Sequence, residues 1–149
     1  MKQDYHVYNN EALVSSLLYG VLRKVGRLNV AIIAALLPLV LDETICKFVE
    51  IKKFVLVNIL QVGRNKLLNF NDQYYDVLPI MLNGISVLMD LQLVTLEGEY
   101  LVLSDKEIQN VCVDDCLRLD RLIKVFYQLY RDAEAMKLST LYTQLNIKL

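Results

Sequence analysis

Leu93-Val94-Thr95-Leu96, Glu97-Gly98-Glu99, Tyr100-Leu101-Val102-Leu103: these eleven residues decide the fold. Two short apolar or β-branched runs flank a glycine set between two glutamates. Gly takes a positive φ without steric cost, so the pattern predicts a tight β-hairpin, 93–96 with 100–103. Upstream, about Tyr74 to Leu91, the residues Val77, Leu78, Met81, Leu82, Ile85, Leu88 and Met89 recur on one side of a helix. Pro79 fits that helix only as a first-turn proline, which would start the regular part near it. A helix running into a hairpin reads as the core of a winged helix. From Leu67 to Asp105 there is no Lys or Arg, and the ionised groups are Asp72, Asp76, Asp90, Glu97, Glu99 and Asp105. A winged helix that grips DNA needs cations to neutralise phosphates. This acidic version predicts a surface that repels a duplex and binds protein.

Working outward, Tyr8-Asn9-Asn10-Glu11 has the form of a helix start, with Asn as cap and Glu near the positive end of the dipole. Leu13, Leu17, Leu18, Val21, Leu22 and Val25 continue it at helical spacing, and Gly26 ends it. Arg27-Leu28-Asn29 reads as a polar break before the long apolar run Val30 to Leu41. That run is too short for a membrane span of about 20 residues and predicts a buried helix. Pro38 should kink or restart it, and Asp42 should cap a short helix, Glu43 to Val49. Ile51 to Asn69 predicts a further helix, and Phe70-Asn71-Asp72 a turn that caps the next one. After the hairpin, Ser104-Asp105-Lys106-Glu107 resembles a capping box opening a long helix, about 105–137, with the stripe Leu119, Leu122, Ile123, Phe126, Leu129, Tyr130, Ala133. A short helix, 139–145, follows. The expected fold class is mainly α: a winged-helix-like helical domain with one β-hairpin, the winged-helix-like core at about 53–104, all in one domain over 1–149.

Composition narrows the function classes. The chain is 55% hydrophobic and 22% charged, with net charge −1. Disorder is excluded on those grounds. The apolar excess points to surface covered by a partner. Three cysteines (Cys46, Cys112, Cys116) and a polar N-terminus without a signal-like segment predict reduced thiols and a cytoplasmic location.

Chemistry is sparse. The five glycines have no phosphate-loop spacing followed by Lys-Ser or Lys-Thr. His6 is the sole histidine and sits near the N-terminus. Cys112 and Cys116 share a helix face, yet two thiols without further ligands make a poor zinc site. Asp114 and Asp115 are neighbours on a helix and point about 100° apart, so they do not converge on a metal. No cofactor or metal is expected, and no enzymatic activity. Arg118, Arg121 and Lys124 recur every three residues and form a candidate ridge for a nucleic-acid backbone. Asp114 precedes Arg118, and Asp120 precedes Lys124, by one helical turn, which tempers that ridge.

Three segments in order resemble a known family. They are Tyr8-Asn9-Asn10-Glu11-Ala12-Leu13, Ala34-Ala35-Leu36-Leu37-Pro38-Leu39-Val40-Leu41-Asp42, and Leu141-Tyr142-Thr143-Gln144-Leu145-Asn146-Ile147. Together they are similar to the middle component of three-component ABC systems, such as the Lamassu anti-phage and anti-plasmid systems. Asn-Glu stands here where many relatives have Asn-Pro, and Asn146 where Gly is commoner. The resemblance implies a non-enzymatic accessory subunit that links an SMC-like ABC ATPase to a nuclease-type effector, touches DNA only through the complex, and stays off the membrane. Leu141, Tyr142, Leu145 and Ile147, a spare apolar face at a chain end, are the expected partner-binding residues. A DNA-binding winged-helix regulator and an immunity- or antitoxin-like protein binder remain open as alternatives.

Overall fold

The computed structural model describes residues 2–52, 56, 59–60, 67–106 and 117–149. Helix α1 spans Lys2–Val25, strand β1 Arg27–Asn29, α2 Val30–Leu41 and α3 Glu43–Lys52. After them come α4 (Phe70–Asp90), β2 (Val94–Glu97), β3 (Tyr100–Leu103), α5 (Leu117–Glu134) and α6 (Leu138–Gln144). The protein is mostly helical with a small three-stranded antiparallel sheet ordered β1-β3-β2.

Helix α2 is the centre of the molecule. Every residue from Ile32 to Val40 is buried, and α4, α5, α3 and α6 pack around it. Its composition explains this, because a helix without a polar face has to be enclosed. Each fully buried Leu or Ile contributes about 1.5–3 kcal/mol. Asn29 caps the helix, its Oδ1 accepting from Ala31 N (2.9 Å) and Ile32 N (3.2 Å). Pro38 neither kinks the chain out of helix nor restarts it, for α2 runs on to Leu41. Asp42 then does two jobs. Its N–H donates to Pro38 O, and its Oδ1 accepts from Thr44 N and Ile45 N to start α3.

The sheet differs from the expectation by one strand. Arg27-Leu28-Asn29 is not merely a polar break: it pairs with Tyr100 to Val102 of β3. The ladder continues at both ends through Val30 N to Glu99 O and Leu103 N to Gly26 O, each 2.9 Å. Three residues are too few to show an alternation, so this strand is invisible until its partner is in place. Gly26 ends α1 as expected, with φ +82°. The hairpin is present one residue later on its first strand, with Glu97 opposite Tyr100. Gly98 takes φ +61° while Glu99 stays at negative φ, the pattern of a two-residue type II′ turn.

Several helix bounds also move. Helix α1 starts well before the Asn9-Asn10 signal. Phe70-Asn71-Asp72 is the first turn of α4, not a separate turn, so Pro79 lies inside the helix, on its exposed side. Helix α4 ends in a Schellman motif, with Gln92 at φ 59°, Leu93 N donating to Leu88 O and Gln92 N to Met89 O. Ser104 does not open a helix. Its hydroxyl donates to Gln92 O (2.6 Å) and its N–H to Leu93 O (2.9 Å), so it closes the base of the hairpin. Helix α5 covers 117–134 of the long helix expected at 105–137; residues 107–116, and with them Glu107, Cys112, Asp114, Asp115 and Cys116, lie outside the described residues. Most of the helix expected at 51–69 does too, while Leu56, Ile59 and Leu60 are helical and buried.

One apolar core runs from Val14 to Ile147 and joins α1, α2, α4, α5, the sheet and the tail. The buried residues described within 53–104 belong to this same cluster. Two glycines let the helices close up. A Cβ on Gly20 of α1 would run into the Ile123 side chain of α5, and one on Gly84 of α4 would lie 3.1 Å from Val14 Cγ1 of α1. Ser15 sits at the second approach, its hydroxyl donating to Glu11 O (2.7 Å) with Gly84 O at 3.3 Å.

Candidate functional site

The close approach of α1 to α4 and α5 leaves a furrow on the outside. It encloses about 740 Å³ and runs along α1 from Glu11 to Lys24, between the C-terminal half of α4 and the first turns of α5. The thirteen helical rises from Glu11 to Lys24 span about 20 Å. The floor is apolar: Leu88, Leu93 and Ile123 are buried there, beside the half-buried Tyr19 and Gly20. Val87 and Leu91 form the wall and remain 42% and 50% exposed, which is unusual for side chains flanking a core.

The furrow is electrically polarised. Glu11 sits at one end, already engaged by Asn83 Nδ2 at 2.7 Å. Arg23, Lys24 and Lys124 crowd the other, with Asp120 on the α5 side. Lys24 Nζ lies 6.0 Å from the centroid of the Tyr127 ring. A shallower depression, lined by Lys24, Lys124, Tyr127 and Arg131 among others, continues from this basic end. The buried hydroxyl of the lining, Ser15, is committed to main-chain carbonyls, and among the described residues no His or Cys lines the furrow. An apolar floor with charges confined to the rim suits a peptide helix, which supplies its own backbone hydrogen bonds.

The residues expected to bind a partner at the C-terminus are placed elsewhere. Leu141 and Leu145 are fully buried and Ile147 nearly so. Tyr142 donates from its hydroxyl to Ala31 O (2.8 Å) and meets Tyr74 edge-on, ring centroids 6.0 Å apart. Burial first, and the Tyr74 hydroxyl second, push the Tyr142 phenol well above its ordinary range. The tail is locked from behind by a second Schellman motif: Asn146 adopts φ 56°, Ile147 N donates to Tyr142 O and Asn146 N to Thr143 O. Tyr75 Oη donates to Lys148 O (2.6 Å), and Lys148 N to Asn71 Oδ1 (2.8 Å). The face expected to be spare is thus occupied by α2 and α4 of the same chain. A stripe of apolar residues at a chain end looks identical in sequence whether it packs inward or outward, and here it packs inward.

The candidate cationic ridge is divided. Arg121 turns toward α3, where its Nε lies 2.7 Å from Glu50 Oε2, and neither its Nε nor its Nη2 makes a well-aligned hydrogen bond. Arg118 is exposed beside it, over a small cleft that reaches Cys46. Burial pushes the Cys46 thiol up, against the pull of Arg121. Lys124 belongs instead to the furrow, facing Lys24 from the opposite wall. The side chain of His6 lies outside the described residues. Among the described residues, no group of three or more His, Cys, Asp or Glu could hold a metal ion, and no helix is long and apolar enough to cross a membrane.

Sequence reasoning missed the furrow because its lining comes from three separate helices and the turn after α4. Arg23, Lys24 and Val87 were visible as residues, yet only packing sets them around one cavity. The model of the ABC-three component (ABC-3C) system Middle Component 3 family matches residues 2–149. Comparison with curated proteins and with solved structures returned no match.

Proposed function

This chain belongs to the ABC-three component system Middle Component 3 family, and on that premise we propose that it is a non-enzymatic accessory subunit that uses the furrow between α1, α4 and α5 to hold a helix of a partner component. The partners are an SMC-like ABC ATPase and a nuclease-type effector, joined in a cytoplasmic complex of the Lamassu kind that acts against phage or plasmids. The winged-helix-like reading belongs to the same proposal; it is supported by the third strand, β1, packed beside the hairpin.

The observation that carries the reading is the exposure of Val87 and Leu91 over an apolar floor. Leaving such side chains in water forgoes a stabilisation of about 1.5–3 kcal/mol each if fully buried, and a docked helix recovers it. Co-expression of the three components, with a purification tag on this chain, tests it. Leu91→Asp combined with Val87→Asp is expected to lower recovery of the ATPase component at least about tenfold while the circular dichroism of the isolated chain is unchanged. Full recovery of both partners by that variant would remove the furrow from the mechanism.

A further inference from the structure

We propose that the outer face of α4 is a second docking surface, and that its occupant is a basic amphipathic helix of a partner subunit. Tyr75, Pro79, Leu82, Ser86 and Met89 recur at alternating steps of four and three, so they form one stripe along the helix. Tyr75, Leu82 and Met89 are 45%, 51% and 40% exposed. The stripe is distinct from the furrow: Val87 and Leu91 lie about a third of a turn away, beyond a strip carrying Asp72, Asp76, Asn83 and Asp90. The opposite face of α4, with Phe70, Tyr74, Met81, Ile85 and Leu88, is already in the core.

Charge selects the occupant. Asp72, Asp76 and Asp90 are exposed, as are Glu97 and Glu99 on the hairpin that follows. No Lys or Arg lies between Leu67 and Asp105, and the first one after them, Lys106, donates to Leu91 O at 3.0 Å. An apolar seam bordered along one side by acids has the layout of one half of a coiled coil whose other half carries the cations. A duplex is repelled by this charge. A second copy would set acid strip against acid strip, which like-charge juxtaposition disfavours. From Tyr75 to Met89 the seam runs about 21 Å, so the partner helix has about four turns, with Lys or Arg beside an apolar heptad stripe. The inference rests on the accessory-subunit reading and extends it, since a component with two separate docking faces can hold two partners at once.

The test uses the full complex, assembled by co-expression with its two partner components. A photo-crosslinking phenylalanine derivative is placed at Leu82, and in a separate variant at Leu91, and adducts are mapped by mass spectrometry. The expected Leu82 adduct lies on a partner segment with Lys or Arg flanking its apolar stripe. The combination Asp72→Lys, Asp76→Lys and Asp90→Lys should cut recovery of that same partner about tenfold, with a smaller effect at high salt because screening removes it. An adduct on a second copy of this chain, on DNA or on an acidic segment overturns the proposal. So does the absence of a Leu82 adduct, or undiminished recovery after charge reversal. The Leu91 adduct reports separately on the furrow: present without a Leu82 adduct, it leaves the accessory-subunit reading standing while this inference falls.

Discussion

The C-terminal tail and the furrow are two apolar regions of similar sequence character with opposite fates. Leu141, Leu145 and Ile147 are buried, on a tail whose helix packs against α2 and α5. Val87 and Leu91, at the C-terminal end of α4, stand open to solvent. The tail is closed because each end of it is tied: Tyr142 to Ala31 O, Lys148 to Asn71 and Tyr75, and the chain reversed at Asn146. The furrow stays open because Gly20 and Gly84 draw the helix axes together at the bottom, and the wider rims are left without a fourth wall. Apolar spacing therefore reports that a face wants to be dry, and packing decides whether the same chain or another one dries it.

The sharpest way to break this contrast is to charge both regions. Leu145→Asp is expected to destabilise the isolated chain by about 3–5 kcal/mol, because a fully buried site would hold an unpaired carboxylate. Denaturant unfolding measures it. A loss below about 1 kcal/mol would mean that the tail is not part of the core. Next in size is Gly20→Val, where overpacking against Ile123 should cost about 1–3 kcal/mol, read in the same unfolding experiment. Gly26→Ala is a useful control at a glycine with open space but positive φ, since its cost should come from backbone strain alone.

Tyr142→Phe should cost about 1 kcal/mol by removing the bond to Ala31 O, and it carries a pH signature. The phenol is held neutral in the folded protein above its ordinary value of 10.0, and Tyr130 is shifted the same way, by burial first. A raised folded pKa gives stability that is complete below the unfolded value and lost as pH rises past it. Wild-type stability should therefore fall above about pH 10, and the fall should be shallower in Tyr142→Phe. An unchanged alkaline limb would show that the tail opens before the phenol ionises. The smallest stability effect belongs to the furrow: Leu91→Asp should shift unfolding by no more than about 0.5 kcal/mol, as an exposed substitution does. Its consequence should appear only in partner recovery. A large stability loss there would erase the distinction between the two regions.

Much of the architecture was legible beforehand for reasons that can be named. The uninterrupted apolar run from Val30 to Leu41 has no face to offer solvent, so its central position followed. Asp42 and Gly98 were readable because capping and positive φ are local demands met by few residue types. The stripe Leu119 to Ala133 is buried as its period implied. Strand β1 was not legible, since its evidence is the pairing of Arg27 with Val102, far along the chain. Ser104 followed by Glu107 carried a helix-start signature, yet the hairpin base claimed the Ser104 hydroxyl first. Of the candidate sites, the tail residues lie buried in this chain, and the cationic ridge is divided between Glu50 and the furrow; neither placement follows from spacing along the chain.

By itself, then, the amino-acid order determined the helical class, the hairpin, the enclosed second helix and a segment from Leu67 to Asp105 without Lys or Arg. These are set by short-range sterics, hydrophobic period and net charge, which need no knowledge of distant residues. Only the tertiary structure decided which apolar faces meet each other and which remain open, and that Arg23, Lys24 and Lys124 share one rim. The reason is that burial is a property of pairs of surfaces: the free energy of drying Leu145 or Leu91 is the same, and the competition for α2 and α4 is settled by geometry across the whole chain.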